Sequence, residues 1–205
     1  MSDPLFSDAE KTHYTYADYL TWETDKRYEL MDGVAYMMAS PSVIHQRLSM
    51  ELSVQFGSFL RGKSCEVFAA PMDVRLFPRE DRTDDTVLQP DLLVVCDKTK
   101  LSKGSCDGAP DMVIEIVSPS NTVQEIIRKF NYYLDAGVRE YWVVNPDTQT
   151  VQVHVLENGH FVSTIYKKDD TIPVSILPGL GIDLKPVWGD AAQGEKPTSL
   201  PDTML

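Results

Sequence analysis

Apolar residues recur along the chain with two rhythms, one helical and one strand-like, and the points where the rhythm changes divide it into elements. In "THYTYADYLTW", residues 12–22, Tyr16, Tyr19 and Leu20 share a face behind Thr15, a candidate cap, which predicts a short helix. "RYELMDGVAYMMAS" carries apolar runs on both sides of Asp32-Gly33, a two-residue hairpin signal. After Pro41-Ser42, Ile44, Leu48, Leu52, Phe56 and Phe59 repeat at helical spacing as far as Gly62, which can end the helix. Three strands are predicted next, at 65–77, 89–97 and 110–118. The second and third, "QPDLLVVCD" and "PDMVIEIVS", are nearly unbroken apolar runs, the pattern of strands covered on both faces. A second helix spans about 121–136, capped by Asn121 or Thr122, with Ile126, Ile127, Phe130, Tyr133 and Leu134 inward and Gly137 as its stop. "REYWVVNP" reads as a strand, and "TVQVHVLE" and "HFVSTIYKK" alternate on either side of Asn158-Gly159 as a hairpin.

The central order is therefore αβββαβ, with a hairpin in front and a β-meander behind. A mixed central sheet flanked by helices, an α/β or α+β fold, is the arrangement that buries such strands on both faces. Residues 189–205 are polar with small residues and prolines, which predicts a loosely ordered tail behind a single domain at 1–188.

Composition changes this picture little. The 205 residues, 42% hydrophobic and 24% charged, suffice for one sizeable core. No apolar run is long enough to span a bilayer, and "MSDPLFSDAEK" is acidic where a signal peptide would be basic, so a cytoplasmic chain without a membrane partner is expected. Cys65, Cys96 and Cys106 form no paired motif and are expected to be thiols. The net charge of -12 argues against binding DNA through a broad basic face. It leaves room for a protein that concentrates its cations locally or bridges phosphates through metal ions.

The candidate chemistry lies where acids interrupt apolar strands. Glu115 sits in the middle of "MVIEIV" and Asp91 just before "LLVV". A buried carboxylate is costly unless it is paired, hydrogen-bonded or metal-bound. If neighbouring strands bring these two together, their repulsion calls for a cation between them, and oxygen-only ligation suits Mg2+ or Mn2+. Taken singly, Asp91 also fits as a turn residue after Pro90, and Glu115 as half of a buried ion pair with Arg128 or Lys129. Lys129 lies about 60° round the helix from Ile126 and borders its apolar face, whereas Arg128 points the other way. Lys129 either snorkels to solvent or stands against the acids, where it could stabilise developing phosphoryl charge or orient a water. His45, at the start of the long helix, fits a metal ligand, a phosphate contact, a general acid/base or a surface residue. Glu29, in "YELMDG", is either solvent-facing or a further ligand. A Gly-rich phosphate loop, a nucleophile elbow and a His/Cys metal pair are all missing from the sequence.

In series, "YELMDG", "SPSVIHQRL", "QPDLLVV", "APDMVIEIVSPSN" and the run from Lys129 through Trp142 resemble the Uma-type family of restriction-endonuclease-like proteins, within the PD-(D/E)XK nuclease superfamily, over about residues 12–185. The resemblance implies a Mg2+- or Mn2+-dependent endonuclease acting on DNA. It implies that Asp91, Glu115 and the backbone carbonyl of Ile116 hold the metal, with Glu29 and His45 bordering the site. The parent motif has lysine two residues after the acid, where this chain has Val117; in this family the following helix supplies the lysine, at the position of Lys129. Glu125 stands where Asp is expected in relatives, beside the same site. Two-ended cutting of duplex DNA would call for a symmetric homodimer. A non-cleaving nucleic-acid-binding or protein-interaction module on the same fold is the alternative.

Overall fold

The computed structural model describes residues 12–118 and 121–189. The apolar strands assemble into a six-stranded mixed sheet made of β3 (Glu66–Ala69), β6 (Leu92–Val95), β8 (Met112–Ile116), β9 (Glu140–Asn145), β10 (Thr150–Glu157) and β11 (His160–Lys167). Their spatial order is β11-β10-β9-β8-β6-β3. The parallel pair β8 and β9 needs a crossover, and the helix α3 (Val123–Ala136) supplies it. Thr122 and Glu125 form a capping box at its start, and Gly137, at φ 80°, stops it in the left-handed conformation.

Strand alternation divides the core into two layers. Leu92, Val94, Met112, Ile114, Ile116, Trp142 and Val144 face α2 (Val43–Leu60), α4 (Leu184–Trp188) and the small pair β12 (Thr171–Pro173) and β13 (Gly181–Asp183). Leu48, Leu52 and Phe56 of α2 are fully buried in that layer, and Phe56 meets Trp142 edge-on at 5.8 Å. Each such side chain stabilises the fold by roughly 1.5–3 kcal/mol. Leu93, Val95, Val113, Tyr141 and Val143 point the opposite way, toward Tyr133 of α3 and a second sheet. That sheet has the order β2-β1-β5-β4-β7, from β1 (Tyr28–Met31), β2 (Val34–Met37), β4 (Asp73–Arg75), β5 (Val87–Leu88) and β7 (Ser105–Asp107). The turn between β1 and β2 has φ 50° at Asp32 and 75° at Gly33, as the hairpin signal predicts. The short helix α1 (Tyr16–Tyr19), capped by Thr15 and Asp18, packs Tyr16 against Leu30 and Val87.

The order αβββαβ is present in the large sheet as α2, β3, β6, β8, α3 and β9. Four expectations are corrected. The stretch 65–77 is two strands, because after β3 the chain crosses at Ala70-Pro71 into the second sheet. Cys65 and Cys96 are joined in a disulfide rather than being thiols. The cause is register: Glu66 pairs with Val95, so the next step outward sets the two cysteines opposite each other. Cys106 alone is a buried free thiol, and burial pushes its pKa up to about 11. Ile127 is exposed rather than inward, and Leu20, expected to share a face with Tyr16 and Tyr19, is exposed while Tyr16 is buried. Ile127 precedes Lys129 by two residues, about 200° round α3 from its buried face. The tail at 189–205 falls, from 190 onward, outside the described residues. Among the described residues no helix is long and apolar enough to cross a membrane.

Candidate active site

The direction of Glu115 follows from the pleat of β8. Met112, Ile114 and Ile116 face α2, so Val113 and Glu115 face α3. The β6–β8 register, Leu92 with Ile114, continues by one step to set Asp91 opposite Glu115 on the same face. Asp91 is fixed there by its Oδ2, which accepts the Ile116 N–H at 2.7 Å. The N–H and C=O of one strand residue point the same way, so the Ile116 carbonyl also faces the β6 side. Its partner in the continued register is Pro90, which has no N–H to offer it. "QPD" thus crosses between the sheets and leaves a carbonyl oxygen beside two carboxylates.

Lys129 and Tyr133, one turn apart on α3, are the two fully inward residues of that helix. Lys129 Nζ donates to Glu115 Oε1 at 3.0 Å and to Glu29 Oε1 at 2.8 Å. Tyr133 OH donates to Glu115 Oε1 at 2.6 Å. Glu29, on β1 and buried, also accepts the Gln89 N–H at 2.9 Å, so the second sheet is tied to the first through this cluster. His45 lies in the first turn of α2, where Ser42 caps its N–H. Its Nε2 stands 3.0 Å from Asp91 Oδ1, and its Nδ1 is buried without a partner among the described residues. Arg128 donates to Tyr36 OH at 2.6 Å and does not pair with Glu115.

These side chains line a cavity of about 150 Å³. Asp91, Glu115, Lys129, His45 and Glu29 converge on it with Ile116, and Arg27 and Tyr36 line its wall. Glu125 also lines it, but its Oε2 accepts the Thr122 N–H at 2.7 Å as part of the capping box. Sequence reasoning placed Tyr133 only in the core. The signal that finds it is the i, i+4 spacing from Lys129, which puts both on the face opposite Glu115.

The charges are unbalanced. Burial pushes Glu115 up; Lys129 opposes this, while Glu29 and Asp91 add to it, and the result is about 7. Burial alone would lower Lys129, but Glu115 and Glu29 outweigh it and hold the ammonium protonated well above its ordinary range. Two acids therefore share one lysine, and Asp91, held by His45 Nε2 and the Ile116 N–H, adds a third carboxylate beside them. A further cation fits this electrostatically. Among the described residues no three Asp, Glu, His or Cys side chains stand together as a ready-made metal cage. The donors present are two carboxylates and a carbonyl, an all-oxygen set that suits a hard cation such as Mg2+, which keeps several of its waters.

The family model described as "Putative restriction endonuclease", Uma2, matches residues 16–185. The chain belongs to the Uma2 family. It is 26% identical over 164 residues to an uncharacterised protein, slr1290, of Synechocystis sp., which spans 78% of this chain and 84% of that one. Its fold is similar to the crystal structure of "a putative nuclease belonging to DUF820" from Anabaena variabilis, with a TM-score of 0.69 and 21% identity. That likeness covers 85% of this chain and 97% of the other. In this Uma2 member the match runs from α1 into α4, so it includes every element that lines the cavity.

Proposed function

We propose that this Uma2 protein is a divalent-metal-dependent endonuclease that hydrolyses DNA phosphodiester bonds at the Asp91–Glu115–Lys129 cavity. The observation that carries the reading is the meeting of Asp91 and Glu115 across adjacent strands, with the Ile116 carbonyl beside them and Lys129 against Glu115. Asp91, Glu115 and that carbonyl would hold Mg2+ or Mn2+, which when bound supplies Lewis acidity and lowers the pKa of a ligated water. Lys129 stays protonated, so it serves as an electrostatic partner for the phosphoryl oxygens or the attacking water and not as a base. Glu29 holds the lysine from the other side, and His45 orients Asp91 through its Oδ1. Glu125 stands at the rim as a capping residue. The protein works in the cytoplasm as a homodimer, one cavity for each strand of a duplex.

The test is cleavage of duplex and single-stranded DNA in Mg2+ or Mn2+. Glu115→Gln and Lys129→Ala proteins with wild-type circular dichroism are expected to lose cleavage by at least about 100-fold, the scale of a lost electrostatic contact. Unchanged cleavage in either moves the site elsewhere. A second reading, a non-cleaving binding module, takes the Glu29–Lys129–Glu115 ion pairs as a structural tie between the two sheets. That module would bind no Mn2+ at millimolar concentration.

A further inference from the structure

Proteins guard the edges of their sheets, because a free row of N–H and C=O groups pairs with any strand that meets it. At one edge of the large sheet β3 is guarded: it is four residues long, begins with Glu66, and Pro71 stands two residues past its end. The other edge, β11, is longer and carries its lysine, Lys167, only at its last position. It is eight residues long, and from Phe161 through Tyr166 it contains no charge, no proline and no glycine. Val162 is 47% exposed and Ile165 59%.

The hydrogen-bond phase of that edge is fixed by its hairpin. The two-residue turn Asn158-Gly159 makes Glu157 and His160 a hydrogen-bonded pair, so Val162, Thr164 and Tyr166 bond inward to β10. The backbone groups of Phe161, Ser163 and Ile165 therefore point outward. The Leu156 N–H, opposite Phe161, bonds to Arg139 on the β9 side, which is the same phase read from the other strand.

We propose that β11 is the interface with a second copy of this chain, paired antiparallel about a two-fold axis at Ser163 to make one continuous sheet. A two-fold axis perpendicular to the sheet pairs only residues on the same face. An axis at Ser163 sets Phe161 against Ile165 twice on the α3 face and Val162 against Thr164 twice on the α2 face. It joins the outward groups of Phe161, Ser163 and Ile165 in hydrogen-bonded pairs. Shifting the axis to Thr164 would set Lys167 against Phe161 and Ile165 against Ser163. With the axis at Ser163, Lys167 lies instead beside the partner's turn, next to Glu157. For a chain of net charge -12 this is an approach with no acid on the pairing strand. The inference names a surface and does not depend on the nuclease reading.

The experiment is sedimentation of the full chain from micromolar to millimolar concentration, with amide hydrogen exchange followed residue by residue. The wild type is expected to be a dimer in which the Phe161, Ser163 and Ile165 amides exchange at least 100-fold more slowly than in the monomeric Ile165→Lys protein. The Val162, Thr164 and Tyr166 amides, bonded within the hairpin, are expected to be slow in both. Ser163→Pro, which removes an outward N–H together with the hydroxyl bonded to His154, is expected to dissociate the dimer as well, and Ser163→Ala, which removes the hydroxyl alone, to leave it intact. A wild type monomeric at millimolar concentration overturns the proposal. So does a dimer whose Phe161, Ser163 and Ile165 amides exchange freely, or one that survives Ile165→Lys in a folded protein.

Discussion

Tyr133 acts on the cavity only through Glu115. Its hydroxyl and Lys129 Nζ both donate to Glu115 Oε1, which leaves Oε2 for the cavity. A group that orients a ligand without touching the metal is worth about 10–100-fold in affinity. Tyr133→Phe is therefore expected to weaken Mn2+ binding by at least about tenfold by calorimetry while Tm changes little. Equal affinity in the folded variant removes Tyr133 from the site. His154 offers a separate test, of stability. It is buried among Phe130, Tyr141 and Phe161, bonds Ser163 Oγ at 2.7 Å, and burial lowers its pKa. Above about pH 6.5 the imidazole is neutral in both folded and unfolded chains. Below that value the unfolded chain takes the proton first, so stability falls as pH drops, until the depressed folded pKa is reached. The slope of Tm between pH 7 and 5 is expected to be shallower in His154→Gln than in wild type. Identical slopes would mean that His154 titrates normally.

At the scale of elements, local signals were legible and cross-chain ones were not. The caps of α1 and α3, the stop at Gly137 and both hairpins follow from residues within a few positions of each other. β5 and β7 escaped, and β4 was merged with β3, because each is only two or three residues long and is held by partners far away in sequence. The Cys65–Cys96 disulfide and the tie between Glu29 and Lys129 escaped for the same reason, since both need a register that only the folded sheets supply. The acids Asp91 and Glu115 were legible because a charge inside an apolar run is conspicuous at any distance. The turn that carries Glu29 into place can be tested directly. Gly33 has φ 75°, and a Cβ there would meet the His13 ring at 2.2 Å. Gly33→Ala is expected to cost about 1–2 kcal/mol, chiefly from the left-handed backbone, measured by urea unfolding. Unchanged stability would mean that the turn relaxes to another type.

For the molecule as a whole, the central fact is a buried charge imbalance inside a chain already at net charge -12. Glu29, Asp91 and Glu115 face a single lysine across the junction of two sheets, α2 and α3, and the fold holds them there through backbone donors at Gln89 and Ile116. Such an arrangement is stable as a closed ion-pair cluster or as the seat of a second cation, and only the second gives a nuclease. A crystal of the full chain soaked in MnCl2, read in an anomalous difference map, separates them. The account predicts one Mn2+ peak bonded to a carboxylate oxygen of each of Asp91 and Glu115 at about 2.1 Å, with the Ile116 carbonyl as a third protein ligand. No peak between Asp91 and Glu115, with Lys129 still closing on Glu29 and Glu115, would contradict it.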